Sequence, residues 1–597
     1  MTQGVSEISD HGTSGSESSA AVGDKFARAL RTQLAGVTGG LAPDVYANAW
    51  WDWLLSLSKD APKQGQILQD AIAKLADNAA FGLQAMSADP VAPTADGAFG
   101  TTAWAQWPFN VYAHSFQNYA AWWQSALSNV AGVAPDHERT LDFMARNFLE
   151  FLSPANYLAT NPELLDVTRA EAGENLVRGF GFWLEDIQRT LGGNASTGKT
   201  PAGNASAGND AFILGRDIAA TAGCVVLRND LMELIQYSPA TPTVYAEPIL
   251  IVPAWIMKYY ILDLSANNSL VKFLVSQGHT VFIVSWKNPT ASERDLGMDD
   301  YLRLGIRAAA DAVAQIVPDR KIHTVGYCIG GTLLSIATAV FRAEGDQRVA
   351  SMTLLAAQQD FSEPGELSLF ISPSQIDMLE EVMNRTGVLK SEQMGAAFAM
   401  LRARDLLWTP AVNKYLRGKR ETPNDLMAWN ADGTRMPCRM HSEYLRQLYL
   451  NNALALGEFT TGGRRVDLAA IDVPLFVVGT ETDHVAPWKS VYKVRRLTRS
   501  ADYTFLLTSG GHNAGIVSGP VHPRRRHRVR TWLNSSETLA PDEWFDTTQP
   551  QAGSWWPIWQ QWLAQHSARG KLPPPAMGFA NTAGVLAAAP GEYVLQK

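Results

Sequence analysis

The chain has 597 residues, of which 46% are hydrophobic and 18% charged, enough apolar material for a large buried core. A formal net charge of −8 argues against a general nucleic-acid binder, whose phosphate contacts need a basic surface. The three cysteines, Cys224, Cys328 and Cys438, are too few and odd in number for a disulfide framework, so a reducing, cytoplasmic setting is expected. No apolar run reaches the ~18 residues of a membrane span. The first residues lack the basic-then-apolar pattern of a signal peptide.

Residues 1–22 are rich in Ser, Gly and Glu and read as disordered. Residues 23–191 read as a mainly helical N-terminal domain, with apolar residues at helical spacing in stretches such as Gln66 to Leu75. Aromatics gather there: Trp50, Trp51, Trp53, then Trp104, Trp107, Phe109 and Tyr112, then Trp122 and Trp123. They read either as core or as a contact surface for an apolar partner. Residues 192–210 form a Gly/Ala/Ser/Thr/Asn linker, whose sequons at Asn194 and Asn204 have meaning only in a secreted protein.

From 211 to 597 short apolar strands alternate with helical patterns. Strands are expected at 248–253, 279–285, 322–326, 351–356, 474–479 and 503–507. This order predicts an α/β fold built on a parallel sheet covered on both faces. Between about 358 and 457 the strands stop, and the stretch reads as a helical cap inserted over the sheet's active edge.

The sharpest local signal is Gly326-Tyr327-Cys328-Ile329-Gly330-Gly331, with a strand leading in and a helix-compatible run leading out. This is the strand–turn–helix context of a G-x-S-x-G elbow with Cys in place of Ser. The flanking glycines, Gly326 and Gly330, let strand and helix approach closely, and the Ile329 amide is the expected oxyanion donor. Alone, the pattern fits a buried structural cysteine better; its context reverses that and makes Cys328 a nucleophile. The acid and histidine should follow in that order at the ends of later strands. Asp483 follows the strand at 474–479, and His512 follows the strand at 503–507. The long gap before Asp483 fits an inserted cap, and the short gap to His512 fits one helix plus one strand. Glu481 and His484 are the alternatives, but the Gly510-Gly511 lead-in favours His512. His323 reads as structural, the other cysteines as small buried hydrophobes, and no segment has metal-ligand spacing.

A cysteine suits acyl transfer from a thioester. Thiolate attack exchanges one thioester for another with little loss of free energy, and the acyl-enzyme can still drive oxyester formation. A neighbouring histidine also raises the thiolate fraction.

With these blocks in order, the chain resembles the class I polyhydroxyalkanoate synthases, with an α/β-hydrolase core. The resemblance covers the elbow, Asp483-His484 and Gly511-His512. It also covers Ser153 to Pro162, Lys258 to Leu264, Gln277 to Phe282, Ser285-Trp286, Trp429 to Asp432, Thr434 and Ser554 to Pro557. It implies polymerisation of a short-chain 3-hydroxyacyl-CoA, with Cys328 acylated and CoA released. His512 would deprotonate Cys328 and the incoming hydroxyl, and Asp483 would orient His512 or assist hydroxyl attack. No separate cofactor is expected, since CoA arrives on the substrate. A homodimer and a polyester-granule surface are the implied partners. The family commonly reads Pro-Pro-Trp-Ile-Asn-Lys-Tyr-Tyr where this chain has Pro253-Ala254-Trp255-Ile256-Met257-Lys258-Tyr259-Tyr260. That loop lies where hydrolases place the second oxyanion amide, here Ala254.

An esterase or depolymerase of the same fold is the rival reading, and an inert granule scaffold a more distant one. Arg524-Arg525-Arg526-His527-Arg528 reads as a solvated charged turn; the sharper alternative is a contact with CoA phosphates. Under that alternative alone, substituting these arginines raises the apparent substrate constant in steady-state kinetics.

Overall fold

All six expected strands form, and they pair into one sheet. A computed structural model describes residues 42–87, 97–191, 211–534, 539–579 and 585–597. The expected disordered start, 1–22, and the linker, 192–210, lie outside them. The strands in chain order are β1 (Gly223–Arg228), β2 (Met232–Tyr237), β3 (Ile249–Val252), β4 (Val281–Trp286), β5 (Ile322–Tyr327) and β6 (Val349–Leu355). They continue as β7 (Leu475–Thr480), β8 (Asp502–Thr508), β9 (Arg526–Leu533), β10 (Gln551–Ala552) and β11 (Ala587–Ala588). The sheet order is β10-β9-β8-β7-β6-β5-β3-β4-β2-β1-β11.

The six strands from β3 to β8 pair in parallel and are buried almost throughout, as apolar runs such as Ile249-Leu250-Ile251-Val252 require. Antiparallel strands complete both edges. The arginine cluster is a turn only at its start, at Arg524, and becomes a strand from Arg526. Arg526 and Arg528 open β9, in which His527 and Trp532 are buried and Arg528, Val529 and Arg530 are half-buried. With four charged or histidine residues among its first five, this strand offers no apolar run to read in the sequence.

Before the sheet lie helices α1 (Pro43–Leu57), α2 (Ala61–Ser87), α3 (Phe109–Leu127), α4 (Pro135–Leu152), α5 (Pro162–Ala170) and α6 (Glu174–Leu191). Proline at N1 and an Asn161 side chain accepting from the Glu163 and Leu164 amides start α5, a capping pattern read directly from Asn161-Pro162. The aromatics divide. Trp104 is fully buried with Phe99 and Ala113, and Trp50, Trp53 and Trp123 pack around Ala49, Leu127 and Leu141. Trp51 and Trp107 stay exposed at 63% and 57%.

Between β6 and β7 the chain leaves the sheet for a helical excursion that includes α7 (Pro373–Thr386), α8 (Ser391–Leu401), α9 (Asp425–Ala431) and α10 (Cys438–Tyr444). The N-terminal helices pack on this excursion. Phe143 joins Phe370 and Leu401 in one buried cluster, with Tyr46 beside it. Arg146 pairs with Glu366 at 2.9 Å, and Asp186 accepts from Lys414 at 2.6 Å and Tyr415 at 2.7 Å. Among the described residues no helix is long and apolar enough to cross a membrane.

The tightest packing in the sheet is at the end of β5. A Cβ on Gly326 would lie 2.3 Å from the Cα of Gly331, and one on Gly330 would lie 2.5 Å from the carbonyl oxygens of both Val252 and Pro253. Backbone cannot yield as a flexible side chain can. Gly330→Ala is therefore expected to destabilise the protein by about 1–3 kcal/mol, read as a lower midpoint in urea, as forced overpacking does.

Candidate active site

The ends of four parallel strands, β3, β5, β7 and β8, carry the expected site residues to one edge of the sheet. Cys328 follows β5 directly and starts the helix Ile329–Ala343. Its backbone has φ +54° and ψ −132°, a conformation that costs on the order of 1–3 kcal/mol for a side-chain-bearing residue. The surrounding ladder holds it there: the Cys328 amide donates to Leu355 at 2.9 Å, and its carbonyl accepts from Gly331 at 2.8 Å. Ile329 is the first residue of the helix and is buried beside Cys328.

Asp483 lies in the turn after β7. Its side chain is fully buried, and it accepts from the amides of Val485 and Ala486 at 2.9 and 2.8 Å and from the Thr480 hydroxyl at 2.8 Å. His512 Nδ1 lies 2.8 Å from Asp483 Oδ2. Cys328 lies beside the imidazole, close enough to act on its charge. Cysteine, histidine and aspartate thus form one buried relay.

The electrostatics follow from that burial. Burial opposes a charge on His512, yet the Asp483 carboxylate and Cys328 beside it raise its pKa well above the usual histidine value. Burial likewise opposes the Asp483 charge, but His512 and the donors around the carboxylate hold its pKa below the usual value. An imidazole so placed can take and return a proton at sulfur.

The alternatives fall elsewhere. Glu481 pairs with Arg526 at 2.8 Å. His484 is partly buried, and its pKa is lowered by burial and then by Arg402. His323 is buried between the Ser351 and Ser567 hydroxyls at 2.7 and 3.1 Å, a structural position. Cys224 and Cys438 are buried and free. Among the described residues no group of three His, Cys, Asp or Glu side chains could hold a metal.

Cys328 and Ile329 line a cavity of about 490 Å³. Its walls come largely from the helical excursion and are mostly apolar, with Phe370, Leu379, Leu389 and Phe398 among them, and Ile256, Val485 and Ala486 join from the sheet's loops. Tyr444 and Tyr449 bring hydroxyls, 3.3 Å apart, to the same cavity. Ala254, the expected second oxyanion residue, is buried two residues beyond β3.

Several supporting residues were not assigned a role from the sequence. Trp555 and Trp556 donate their indole N–H groups to the carbonyls of Gly515 and Ile516 at 3.1 and 3.0 Å, pinning the short helix that begins at His512. Tyr327 donates to Asn513 at 2.5 Å, and its ring lies 5.6 Å from that of His512. The Ser554-to-Pro557 block was the available signal, but only three-dimensional proximity explains it.

The relay has a pH signature. Asp483 contributes stability above its unfolded value near 3.8 and loses it as pH falls through its lower folded value. His512 contributes fully below its unfolded value of 6.5 and loses its contribution as pH rises through its higher folded value. The stability gap between wild type and Asp483→Asn is expected to be widest between about pH 4 and 6.5, on the order of 2 kcal/mol, and to narrow on either side. Urea unfolding across that range measures it.

Comparison with known proteins agrees with this architecture. Residues 95–274 match the family model of the poly-beta-hydroxybutyrate polymerase N-terminus, and residues 247–518 match that of the alpha/beta hydrolase fold. The chain is 38% identical to the poly(3-hydroxyalkanoate) polymerase of Methylorubrum extorquens, over 91% of this chain and 88% of that protein. It is 35% identical to the poly(3-hydroxyalkanoate) polymerase subunit PhaC of Rhizobium meliloti, over 96% of this chain and 93% of the relative. Its identity to the Cupriavidus necator polymerase subunit PhaC is also 35%, over 85% of each chain. The chain belongs to the poly(3-hydroxyalkanoate) polymerase family.

Proposed function

We propose that this chain polymerises 3-hydroxyacyl-CoA into polyester and releases CoA, by way of an acyl-cysteine on Cys328. Family membership makes it a polyhydroxyalkanoate-synthesising acyltransferase. The observation that carries the covalent route is Cys328 itself, strained at its elbow, backed by His512 and Asp483 and facing an apolar cavity.

In this reading His512 takes the Cys328 proton and sulfur attacks the thioester carbonyl. The Ile329 and Ala254 amides donate to the developing oxyanion. Collapse expels CoA, which leaves with the proton held on His512. The 3-hydroxyl of a chain end then gives its proton to His512 and attacks the acyl-cysteine. The new oxyester departs, and the proton returns to sulfur. Asp483 keeps Nδ1 occupied, which leaves Nε2 for these transfers. The apolar cavity suits a short-chain hydroxyacyl group and the segment of polyester behind it. Cysteine favours synthesis over the esterase alternative, because the thioester intermediate retains the free energy that forming the polymer ester needs.

The assay is CoA release from 3-hydroxybutyryl-CoA alongside recovery of polymer. Wild type is expected to yield both, and Cys328→Ala to lower release by about 10³-fold or more. Cys328→Ser is expected to lose chain extension. A wild type that hydrolyses ester without ever lengthening a chain overturns the proposal.

Homodimer formation and attachment to a polyester granule complete the reading. The attachment surface we favour is α2, where Leu68, Ile72, Leu75 and Leu83 recur at helical spacing and are each at least 60% exposed. Replacing Leu68, Ile72 and Leu75 together by Lys is expected to lower the granule-bound fraction severalfold in a sedimentation assay, with CoA release in solution unchanged. Undiminished binding would remove α2 from the reading.

A further inference from the structure

The triad leaves several blocks of the chain unexplained, namely Ser285-Trp286, Lys258 to Leu264, Trp429 to Asp432, and Thr434. In the fold they converge on one loop, 253–258, which leads out of β3.

One side of this loop faces the nucleophile. The carbonyls of Val252 and Pro253 abut Gly330 of the elbow, and Ile256 lines the cavity shared with Cys328. Three of the loop's carbonyls, that of Pro253 among them, are each held by a side-chain donor. Trp286 Nε1 donates to the Pro253 carbonyl at 2.8 Å, Thr434 Oγ1 to the Trp255 carbonyl at 3.1 Å, and Trp429 Nε1 to the Lys258 carbonyl at 2.8 Å. Met257 pairs with Gly433 through an isolated antiparallel bridge, so the chain's departure at Met257 leaves a backbone contact in place. Trp286, Lys258, Trp429, Asp432 and Thr434 are all buried. The assembly is anchored further out: Lys258 Nζ donates to the Gln596 carbonyl at 2.7 Å, and Asp432 accepts from Tyr260 and Lys597, both at 3.0 Å.

Peptide planarity turns these bonds into a directional constraint. The carbonyl of one residue and the amide of the next belong to one rigid plane and point opposite ways. Fixing the Pro253 carbonyl therefore fixes the direction of the Ala254 N–H, and fixing the Trp255 carbonyl fixes the peptide that follows. We propose that Trp286, Trp429 and Thr434 are positioning residues that hold the 253–258 loop so that its amide stays aimed at the acyl oxygen on Cys328. This rests on the reading in which that loop supplies an oxyanion donor.

Trp286→Phe, Trp429→Phe and Thr434→Val each delete one donor and nearly preserve shape. Two rates at Cys328 are compared for each. Acylation by p-nitrophenyl acetate passes through an oxyanion, whereas alkylation by iodoacetamide does not. Loss of a whole oxyanion donor costs about 10²–10³ in rate, so a misaimed donor is expected to slow acylation about tenfold. Alkylation should stay within about twofold of wild type and KM should hold, with Thr434→Ser restoring the rate. Unchanged acylation, or acylation and alkylation falling together, overturns the proposal. The synthase reading is judged separately, by CoA release from 3-hydroxybutyryl-CoA in wild type. If that fails while the acylation-to-alkylation ratio still drops in the variants, the loop assignment stands without it.

Discussion

The helix that begins at Ile329 comes so close to the ends of β3 and β5 that no side chain fits between them. Gly330 lies against the Val252 and Pro253 carbonyls, and Gly326 against Gly331. This approach goes with a positive-φ turn at Cys328, which lines the apolar cavity. It also puts the elbow in direct contact with the loop proposed to complete the oxyanion site. Nucleophile and loop are therefore set by one packing constraint, and the strain at Cys328 persists because the flanking strand and helix over-determine it.

Around that contact the protein solves a problem of buried polarity. A carboxylate as enclosed as Asp483 needs nearly all its acceptor sites filled, and two amides, a hydroxyl and His512 fill them. The histidine is held in turn by the elements behind it, through Trp555, Trp556 and Tyr327. Much of the tryptophan near the site acts as a donor to a specific carbonyl rather than as bulk apolar filler; Trp286 and Trp429 do the same on the opposite side. Where a buried indole N–H meets a loop carbonyl, as with Trp286 and Trp429, the tryptophan both packs the loop and fixes that carbonyl.

The helices ahead of the sheet bear on the site indirectly. Phe143 and Tyr46 pack against Phe370, Leu401 and Phe398, two of which line the cavity above Cys328. Ion pairs from Arg146 and Asp186 reach the same excursion. The shape of the cavity is thus coupled to a part of the chain remote from the chemistry in sequence. The exposed apolar positions of α2 lie outside this bracing role.

By itself the sequence determined the parallel strands from β3 to β8, the elbow and the order Cys328, Asp483, His512. Those features are written in local patterns: uninterrupted apolar runs, glycines at fixed offsets, and short turns at strand ends. Elements without an apolar run escaped it, as β9 did with its Arg526, His527, Arg528 and Arg530. To the sequence's preference for Asp483 over Glu481 and His512 over His484 the tertiary structure added the reason: Asp483 and His512 bond each other at 2.8 Å, whereas Glu481 turns to Arg526. Glu481 and Asp483 lie two residues apart and His484 and His512 on separate loops, so which way each turn points decides between them. Only the tertiary structure brought Trp286, Trp429, Thr434 and Gln596 around one loop. Their hydrogen bonds join positions far apart in the chain, and such contacts leave no periodicity for a sequence to reveal.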